Sequence, residues 1–142
     1  MIVVDANLLI YSYDLNSPDH KKSVTWLERI LSGQETVGLP WQSISAFLRI
    51  VTNRRLSGVR VDVDEAVETV ERWLQQPHVQ VLMPGDRHWS VLKRAILEGR
   101  ASGPLVSDAE IAALTMEYGG VLHTADWDFA RFPGLRWVNP LG

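Results

Sequence analysis

The stretch Met1-Ile2-Val3-Val4-Asp5 is an apolar run that ends in an acid. Far along the chain, the run Val121-Leu122-His123 is followed by Thr124-Ala125-Asp126. Both runs have the length and the composition of buried β-strands. In α/β folds, ligands bind beyond the carboxyl ends of the strands, at the point where the strand order reverses. These two stretches therefore predict a sheet whose carboxyl edge carries acids.

The rest of the chain alternates between two hydrophobic periods. Short apolar runs predict further strands at residues 37–39, 79–82 and 136–138. Apolar residues at helical spacing lie between these runs, and they predict helices after Pro18, Pro40, Asp62 and Asp86 and from Asp108. Such alternation is typical of an α/β fold with three α/β/α layers and a mostly parallel central sheet. We expect residues 1–142 to form a single domain.

The composition excludes several classes of protein. Of 142 residues, 46% are hydrophobic and 22% are charged, which is typical of a globular protein. The chain has no Cys, so disulfides and thiolate metal sites are excluded. No apolar stretch is long enough for a membrane span, and a cytoplasmic protein is the simplest interpretation.

Four aspartates are the strongest functional pattern, namely Asp5, Asp108, Asp126 and Asp128. Asp108 taken alone is more typical of a helix cap, and Asp126 and Asp128 are common residues in a solvated turn. Asp5 is different, because an acid beside a buried strand pays a heavy desolvation penalty without a partner. Carboxylates gathered at one edge repel one another unless a cation such as Mg²⁺ or Mn²⁺ lies between them. The four acids together therefore predict a divalent metal site.

One segment of the chain is basic, although the net charge of the whole chain is −3. There is no acid from Thr36 to Val61, and this segment contains Arg49, Arg54, Arg55 and Arg60. Guanidinium groups bind phosphates bidentately, which predicts contact with phosphate groups, although a solvated basic face or a contact with a protein partner is an equally good interpretation of each arginine. Trp127 stands between two acids, where its ring could stack on a base.

Four stretches resemble the PIN-domain ribonucleases, and more narrowly the VapC toxins of bacterial toxin–antitoxin pairs. They are VVDANLLIY (residues 3–11), FLRIVTN (47–53), VSDAEIAAL (106–114) and TADWDFARF (124–132). The resemblance extends over essentially the whole chain. It implies an endoribonuclease that depends on Mg²⁺ or Mn²⁺, has a compact α/β/α fold, forms a dimer and is neutralised by a small antitoxin.

The resemblance also implies roles for the acids. Asp5, Asp108 and Asp126 correspond to the acids that hold the catalytic metal, and Asp128 matches a further acid that binds it directly or through water. Phosphodiester hydrolysis needs an activated water and neutralisation of charge on the phosphate, and an aspartate-held cation supplies both.

Other positions agree with the resemblance or depart from it. Asn7 and Thr124 match polar residues that orient the carboxylates. The family usually has a glutamate early in the helix that reads QSISAF (residues 42–47), and our alignment places Ala46 there. A second metal would lose a ligand, so a mechanism with two metals is less secure. A PIN-like module that binds RNA or protein with weakened catalysis is therefore the alternative function.

An aspartyl-nucleophile phosphatase is a rival class of enzyme that would also begin with a strand ending in Asp. Such a phosphatase needs a second Asp two residues after Asp5, where Asn7 stands.

The sequence also predicts two protein partners. The four aspartates are suited to an antitoxin that presents an arginine fork. Apolar helices that carry Trp26 and Trp41 predict a homodimer as well.

Overall fold

The computed structural model describes residues 1–55 and 61–142, and Arg60 lies outside the described residues. Within them the chain forms five strands and six α-helices. The strands are β1 (Ile2–Val4), β2 (Val37–Pro40), β3 (Val79–Leu82), β4 (Val121–His123) and β5 (Trp137–Val138). The helices are α1 (Ala6–Tyr11), α2 (His20–Leu31), α3 (Trp41–Val51), α4 (Val63–Leu74), α5 (His88–Gly99) and α6 (Leu105–Glu117). A 3-10 helix, Trp127–Arg131, follows β4.

The five strands form one sheet in the order β3-β2-β1-β4-β5. All neighbouring pairs are parallel, and Val3 of β1 is in register with Gly38 of β2 and Leu122 of β4. The chain first builds outward from β1 to β3 and then returns to the other side of β1. The strand order therefore reverses between β1 and β4, whose carboxyl ends precede Asp5 and Asp126. This confirms the predicted parallel sheet.

Helices cover both faces of the sheet, which confirms the three-layer fold. Side chains alternate along a strand, so Ile2 and Val4 point to one face and Val3 to the other. Ile2 and Val4 belong to a core cluster with residues of α1 to α4. Val3 belongs to a second cluster with residues of α5 and α6.

The layer formed by α1 to α4 is packed with aromatic rings. Phe47 is fully buried, with its ring centroid 5.5 Å from that of Tyr13 and 4.7 Å from that of Trp73. Trp26 is only 3% exposed and stacks on His123 at 5.7 Å. The expectation that Trp26 contributes apolar surface to a dimer is therefore wrong, because the chain buries this ring in its own core.

The opposite layer is packed with small side chains. Ala95 of α5 and Ala109 and Ala112 of α6 are buried against the sheet. After α6 the chain turns at Gly119, whose φ is +65°, into β4. A Cβ on Gly120 would lie 2.7 Å from Cγ2 of Val3. The turn can pack this closely against β1 only because glycine has no side chain. The approach holds α6 close to the middle of the sheet.

Two elements differ from the prediction. Helix α6 begins at Leu105, three residues before Asp108, so Asp108 lies in the first turn and is not the helix cap. Helix α1 was not predicted, because its sequence ANLLIY continues the apolar character of β1. None of the helices in the described part of the chain is long and apolar enough to cross a membrane.

Candidate metal centre

Asp5 joins β1 to α1 at the carboxyl edge of the sheet. Only 7% of it is exposed, and its Oδ1 accepts a hydrogen bond from the backbone N–H of Ala6 at 2.8 Å. Burial raises the pKa of Asp5, while hydrogen bonds from Thr124 and Ala6 act in the opposite direction. The carboxylate is thus held in one orientation in a place where a cation would stabilise its charge.

The hydroxyl of Thr124 connects two of the acids. Its Oγ1 donates to Oδ2 of Asp5 at 2.7 Å and accepts the backbone N–H of Asp126 at 3.0 Å. Thr124 is fully buried and follows β4 directly. A hydroxyl has one proton, so donation to Asp5 leaves its lone pairs for Asp126. Thr124 therefore fixes the side chain of Asp5 relative to the backbone that carries Asp126.

Three other carboxylates lie beside Asp5. Among the described residues, Asp108, Asp126 and Asp128 form a group in which one ligand oxygen from each lies within 4.8 Å of the others. We call it the aspartate group. Oδ1 of Asp126 accepts the backbone N–H of Asp128 at 2.8 Å, so the start of the 3-10 helix orders two of its members. Asp108 reaches the group from the first turn of α6.

The pKa of Asp108 reports the crowding of negative charge. Burial, followed by the charges of Asp126, Asp5 and Asp128, raises this pKa to about 6, and Arg131 acts weakly in the opposite direction. Like charges at short range disfavour the ionised form. Burial and the neighbouring acids therefore both destabilise the ionised form of Asp108.

The aspartate group has the chemistry of a divalent cation site. All its donors are hard carboxylate oxygens at nearly ligating separation, and Mg²⁺ and Mn²⁺ prefer such oxygens. A cation at this place would stabilise the ionised form of Asp108, which burial and the neighbouring acids disfavour. The residues present therefore fit the metal that the sequence predicted. Asp5 is close enough for its charge to act on Asp108, and Thr124 links it to the backbone of Asp126.

Two buried amides lie on the helices next to Asp5. Within the described residues, Oδ1 of Asn7 and Oε1 of Gln42 are buried and have no hydrogen-bond partner. Asn7 is the second residue of α1, and the structure shows no hydrogen bond from it to a carboxylate in the described chain. Gln42 lies in the first turn of α3, next to Ser43, whose Oγ donates to the carbonyl of Val4 at 2.8 Å. Ala46, half-buried, is one turn further along α3.

Arg49, Arg54 and Arg55 lie toward the end of α3 that is remote from the carboxyl edge of the sheet. Helix α3 begins directly after β2, and its 11 residues rise about 16 Å from that edge. Arg49 is exposed in its last turn, and Arg54 and Arg55 are exposed beyond its end. Contact with the phosphates next to the aspartate group is therefore not evident from their position.

Trp127 stands at the rim of the aspartate group. It is 73% exposed between Asp126 and Asp128, and its ring meets the edge of Trp137 at 5.2 Å. The ring is thus supported on one side and open to solvent. An exposed aromatic face of this kind is suited to stacking on a base.

Sequence reasoning missed two residues that border the acids. Burial, then the charges of Asp19, Asp126 and Asp5, raises the pKa of Tyr11, which ends α1. Arg131 faces Asp108 closely enough to affect its pKa and donates to the carbonyl of Gly99 at 3.0 Å. Its position one turn after Asp128 in the 3-10 helix is the pattern that could have identified it.

Comparisons with known proteins place this geometry in a family. A family model described as "PIN domain" matches residues 2–135. The chain is 33% identical to Ribonuclease VapC33 of Mycobacterium tuberculosis (strain ATCC 25618 / H37Rv) over 141 residues, which is 99% of each chain. It is 36% identical to Ribonuclease VapC37 of the same strain over 140 residues, covering 99% of this chain and 97% of the relative.

Solved structures share the fold at lower identity. VapBC2 from Rickettsia felis, bound to a DNA fragment from the promoter, matches with a TM-score of 0.72 and 15% identity over 98% of both chains. VapC20 of Mycobacterium tuberculosis, described as a sarcin-ricin loop cleaving toxin, matches with a TM-score of 0.65 and 17% identity, covering 96% of this chain and 99% of that one.

Proposed function

Since the chain belongs to the PIN-domain family, we propose that it is a divalent-metal-dependent endoribonuclease that acts in the cytoplasm as the toxin of a toxin–antitoxin pair. The aspartate group carries this proposal, because it gathers three carboxylates and raises the pKa of Asp108 to about 6. The names of the full-length relatives, which are ribonucleases, support RNA as the substrate.

The residues of the centre divide the work of hydrolysis. Asp108, Asp126 and Asp128 would hold Mg²⁺ or Mn²⁺, which supplies a Lewis acid for the scissile phosphate when it is bound. Asp5 adds a fixed negative charge at their side, and Thr124 orients it. Burial and the neighbouring acids raise the pKa of Asp108 to about 6, so its carboxylate is suited to accept a proton from the attacking water.

We expect one tightly bound metal, because Ala46 stands where a second metal would need a ligand. A methyl group offers no ligand, and the nearby amide of Gln42 is neutral. One cation should therefore bind tightly at the aspartate group, and a second should bind only weakly, through waters and the RNA phosphate. The same absence of an acid supports the alternative function, a PIN-like module with weakened catalysis that binds RNA or protein.

Two protein partners are part of the proposal. The solved neighbours include VapBC complexes, and an arginine fork from a small antitoxin would satisfy the aspartate group bidentately. Arg54 and Arg55, far from the group, are better placed for this partner than for the cleaved phosphate. A homodimer is also proposed, and it now rests on Trp41 and Trp89, which are 50% and 66% exposed.

Calorimetry and a cleavage assay on the same samples test the function. We expect the wild-type protein to bind one Mn²⁺ tightly and to cleave single-stranded RNA, and Asp108→Asn to lose both properties. Glu68→Gln, which removes an exposed acid of α4, is the matched control and should retain both. RNA binding without cleavage by the wild-type protein with Mn²⁺ would favour the binding module. Two equally tight Mn²⁺ sites without RNA would contradict the assignment for Ala46.

A further inference from the structure

A groove beside the metal centre has a charge opposite to that of the aspartate group. Its volume is about 320 Å³, and it lies between α2 and the segment that follows β5. We call it the α2 groove. It is lined by Lys21, Lys22, Thr25, Trp26, Arg29, Pro140 and Leu141. Three of these residues are cationic, and none of the described residues that line the groove is an acid.

The α2 groove starts at the edge of the sheet that carries the acids. Helix α2 begins there, because Nδ1 of His20 donates to the carbonyl of Tyr11 at 2.9 Å and Tyr11 lies in the field of Asp126. The helix ends at the opposite edge, where Nε2 of His78, just before β3, donates to the carbonyl of Ile30 at 2.9 Å. The groove therefore leads away from the metal centre along the helix.

The second wall of the groove comes from the same edge. His123 and Val138 are in register at the ends of β4 and β5, so residues 139–141 leave the sheet beside Thr124. The carbonyl of Leu141 lies 3.5 Å from Nζ of Lys22. Trp26 forms the floor through its stack on His123, the residue before Thr124. The floor of the groove thus packs against the residue that precedes Thr124, which orients Asp5.

The cations of the α2 groove are available to a ligand. Lys21, Lys22 and Arg29 are exposed on one face of α2, and from Lys21 to Arg29 the helix rises about 12 Å. Another groove, beside α5, also contains arginines, but there Arg94 pairs with Glu98 at 2.7 Å. Among the described residues no ion pair involves Lys21, Lys22 or Arg29. Several cations along a channel are suited to a strand of phosphates rather than to one anion.

RNA needs such a surface at this site. The aspartate group repels phosphates, and the net charge of −3 gives no general attraction. We infer that the α2 groove binds the sugar–phosphate backbone of the RNA strand on one side of the cleaved bond. This inference rests on the proposed ribonuclease function. Lys21, Lys22 and Arg29 bind phosphates, while Pro140 and Leu141 provide an apolar wall for the sugars.

Binding of a short mixed-sequence single-stranded RNA, measured in EDTA so that no cleavage occurs, tests the inference. The groove variant combines Lys21→Ala, Lys22→Ala and Arg29→Ala. We expect it to lose affinity at least about tenfold at 0.1 M salt, and the slope of log K against log salt to fall by about 2, for three lost phosphate contacts. In the cleavage assay with Mn²⁺, KM should rise while kcat changes little.

The matched control removes the same charge from the other layer. It combines Arg87→Ala, Lys93→Ala and Arg94→Ala, all exposed on or just before α5. Thermal unfolding confirms that both triple variants fold, and the control should keep the affinity and the salt slope of the wild-type protein. If either triple variant does not fold, the single changes Lys21→Ala and Lys93→Ala replace the pair.

Three outcomes would overturn the inference. In the first outcome, the groove variant and the control variant lose the same affinity for RNA. In the second, neither variant loses affinity for RNA, although the wild-type protein cleaves it. In both cases the ribonuclease function stands and the groove is not its RNA site. The third outcome is an equal loss of affinity for a short poly-glutamate peptide, which would mark a general anion surface suited to an acidic protein partner. If the wild-type protein neither binds nor cleaves RNA, the proposed function fails first.

Discussion

The acidic edge of the sheet and the basic end of α3 differ in how their charges are arranged along the chain. The acids stand far apart in sequence, at positions 5, 108, 126 and 128, and the fold brings them together. Arg49, Arg54 and Arg55 are close in sequence, yet they lie exposed along and beyond one helix end. The acids are thus distant in sequence but close in space, whereas the arginines are close in sequence but form no such group.

The difference extends to what holds the side chains. The side chain of Asp5 is fixed by Thr124 and by the N–H of Ala6, and the side chain of Asp126 by the N–H of Asp128. Arg54 and Arg55 are exposed, and among the described residues no ion pair fixes them. Preorganised charge is what catalysis requires, because fixed groups need no reorganisation during the reaction. The comparison therefore separates a reaction centre from a surface for contacts.

The largest effect is expected from Asp5. Asp5→Asn keeps the shape of the side chain but removes a charge beside the metal, which is worth several kcal/mol in the transition state. Cleavage of RNA with saturating Mn²⁺ should fall by about 100-fold or more, as measured by initial rates. Circular dichroism should remain unchanged. Wild-type rates in this variant would remove Asp5 from the centre.

A smaller effect is expected from Thr124. Thr124→Val keeps the volume but leaves Oδ2 of Asp5 without its donor, and loss of such a supporting group costs about 10- to 100-fold in activity or metal affinity. Thr124→Ser keeps the hydroxyl and should retain most of the activity. The two rates and the Mn²⁺ affinities are compared side by side. Equal behaviour of the Val and Ser variants would show that the hydroxyl does not orient Asp5.

The dependence of stability on pH tests the crowding of the acids. The pKa of Asp108 is about 6 in the folded protein, against 3.8 for an unperturbed aspartate, so the folded state binds this proton more tightly. The resulting stability is present below about pH 4 and is lost as the pH rises through 6. In EDTA at about pH 8, Asp108→Asn should therefore unfold at higher urea concentration than the wild-type protein, by about 1 kcal/mol after allowance for solvent screening.

The same pair of proteins supplies the control for that measurement. Near about pH 3 the difference should disappear, because Asp108 is then mostly protonated in both the folded and the unfolded state. Added Mn²⁺ should reverse the order at pH 8, since the wild-type protein binds the cation through its folded state. A variant less stable than the wild-type protein in EDTA at pH 8 would show that burial and repulsion do not destabilise the ionised form of Asp108.

The smallest effect is expected at the end of α3. Arg54→Ala combined with Arg55→Ala should change RNA cleavage by less than about twofold, because exposed charges far from a site are largely screened. Initial rates at low salt, where such charges act most strongly, are the measurement. A tenfold loss would restore the prediction of RNA contact and remove the distinction between the two regions.

The parallel sheet and its three layers were predictable because hydrophobic periods report strands and helices directly. Helix α1 was not, since ANLLIY reads as a continued strand and only the cap at Asp5 starts the helix. The burial of Trp26 was also out of reach, because it depends on a stack with His123, about a hundred residues away in the chain. The α2 groove escaped notice for a related reason. Its lysines and its second wall come from opposite ends of the sequence.

The bond between Thr124 and Asp5 has a consequence for the time at which the centre forms. These residues are 119 positions apart, and β1 pairs directly with β4. At a synthesis rate of about 5–20 residues per second, roughly 6–24 s therefore pass between the synthesis of Asp5 and that of Thr124. A growing chain that has completed β1, β2 and β3 holds one acid of the centre and none of the aspartate group. The ribosome thus finishes most of the molecule before any part of it can acquire a complete metal site.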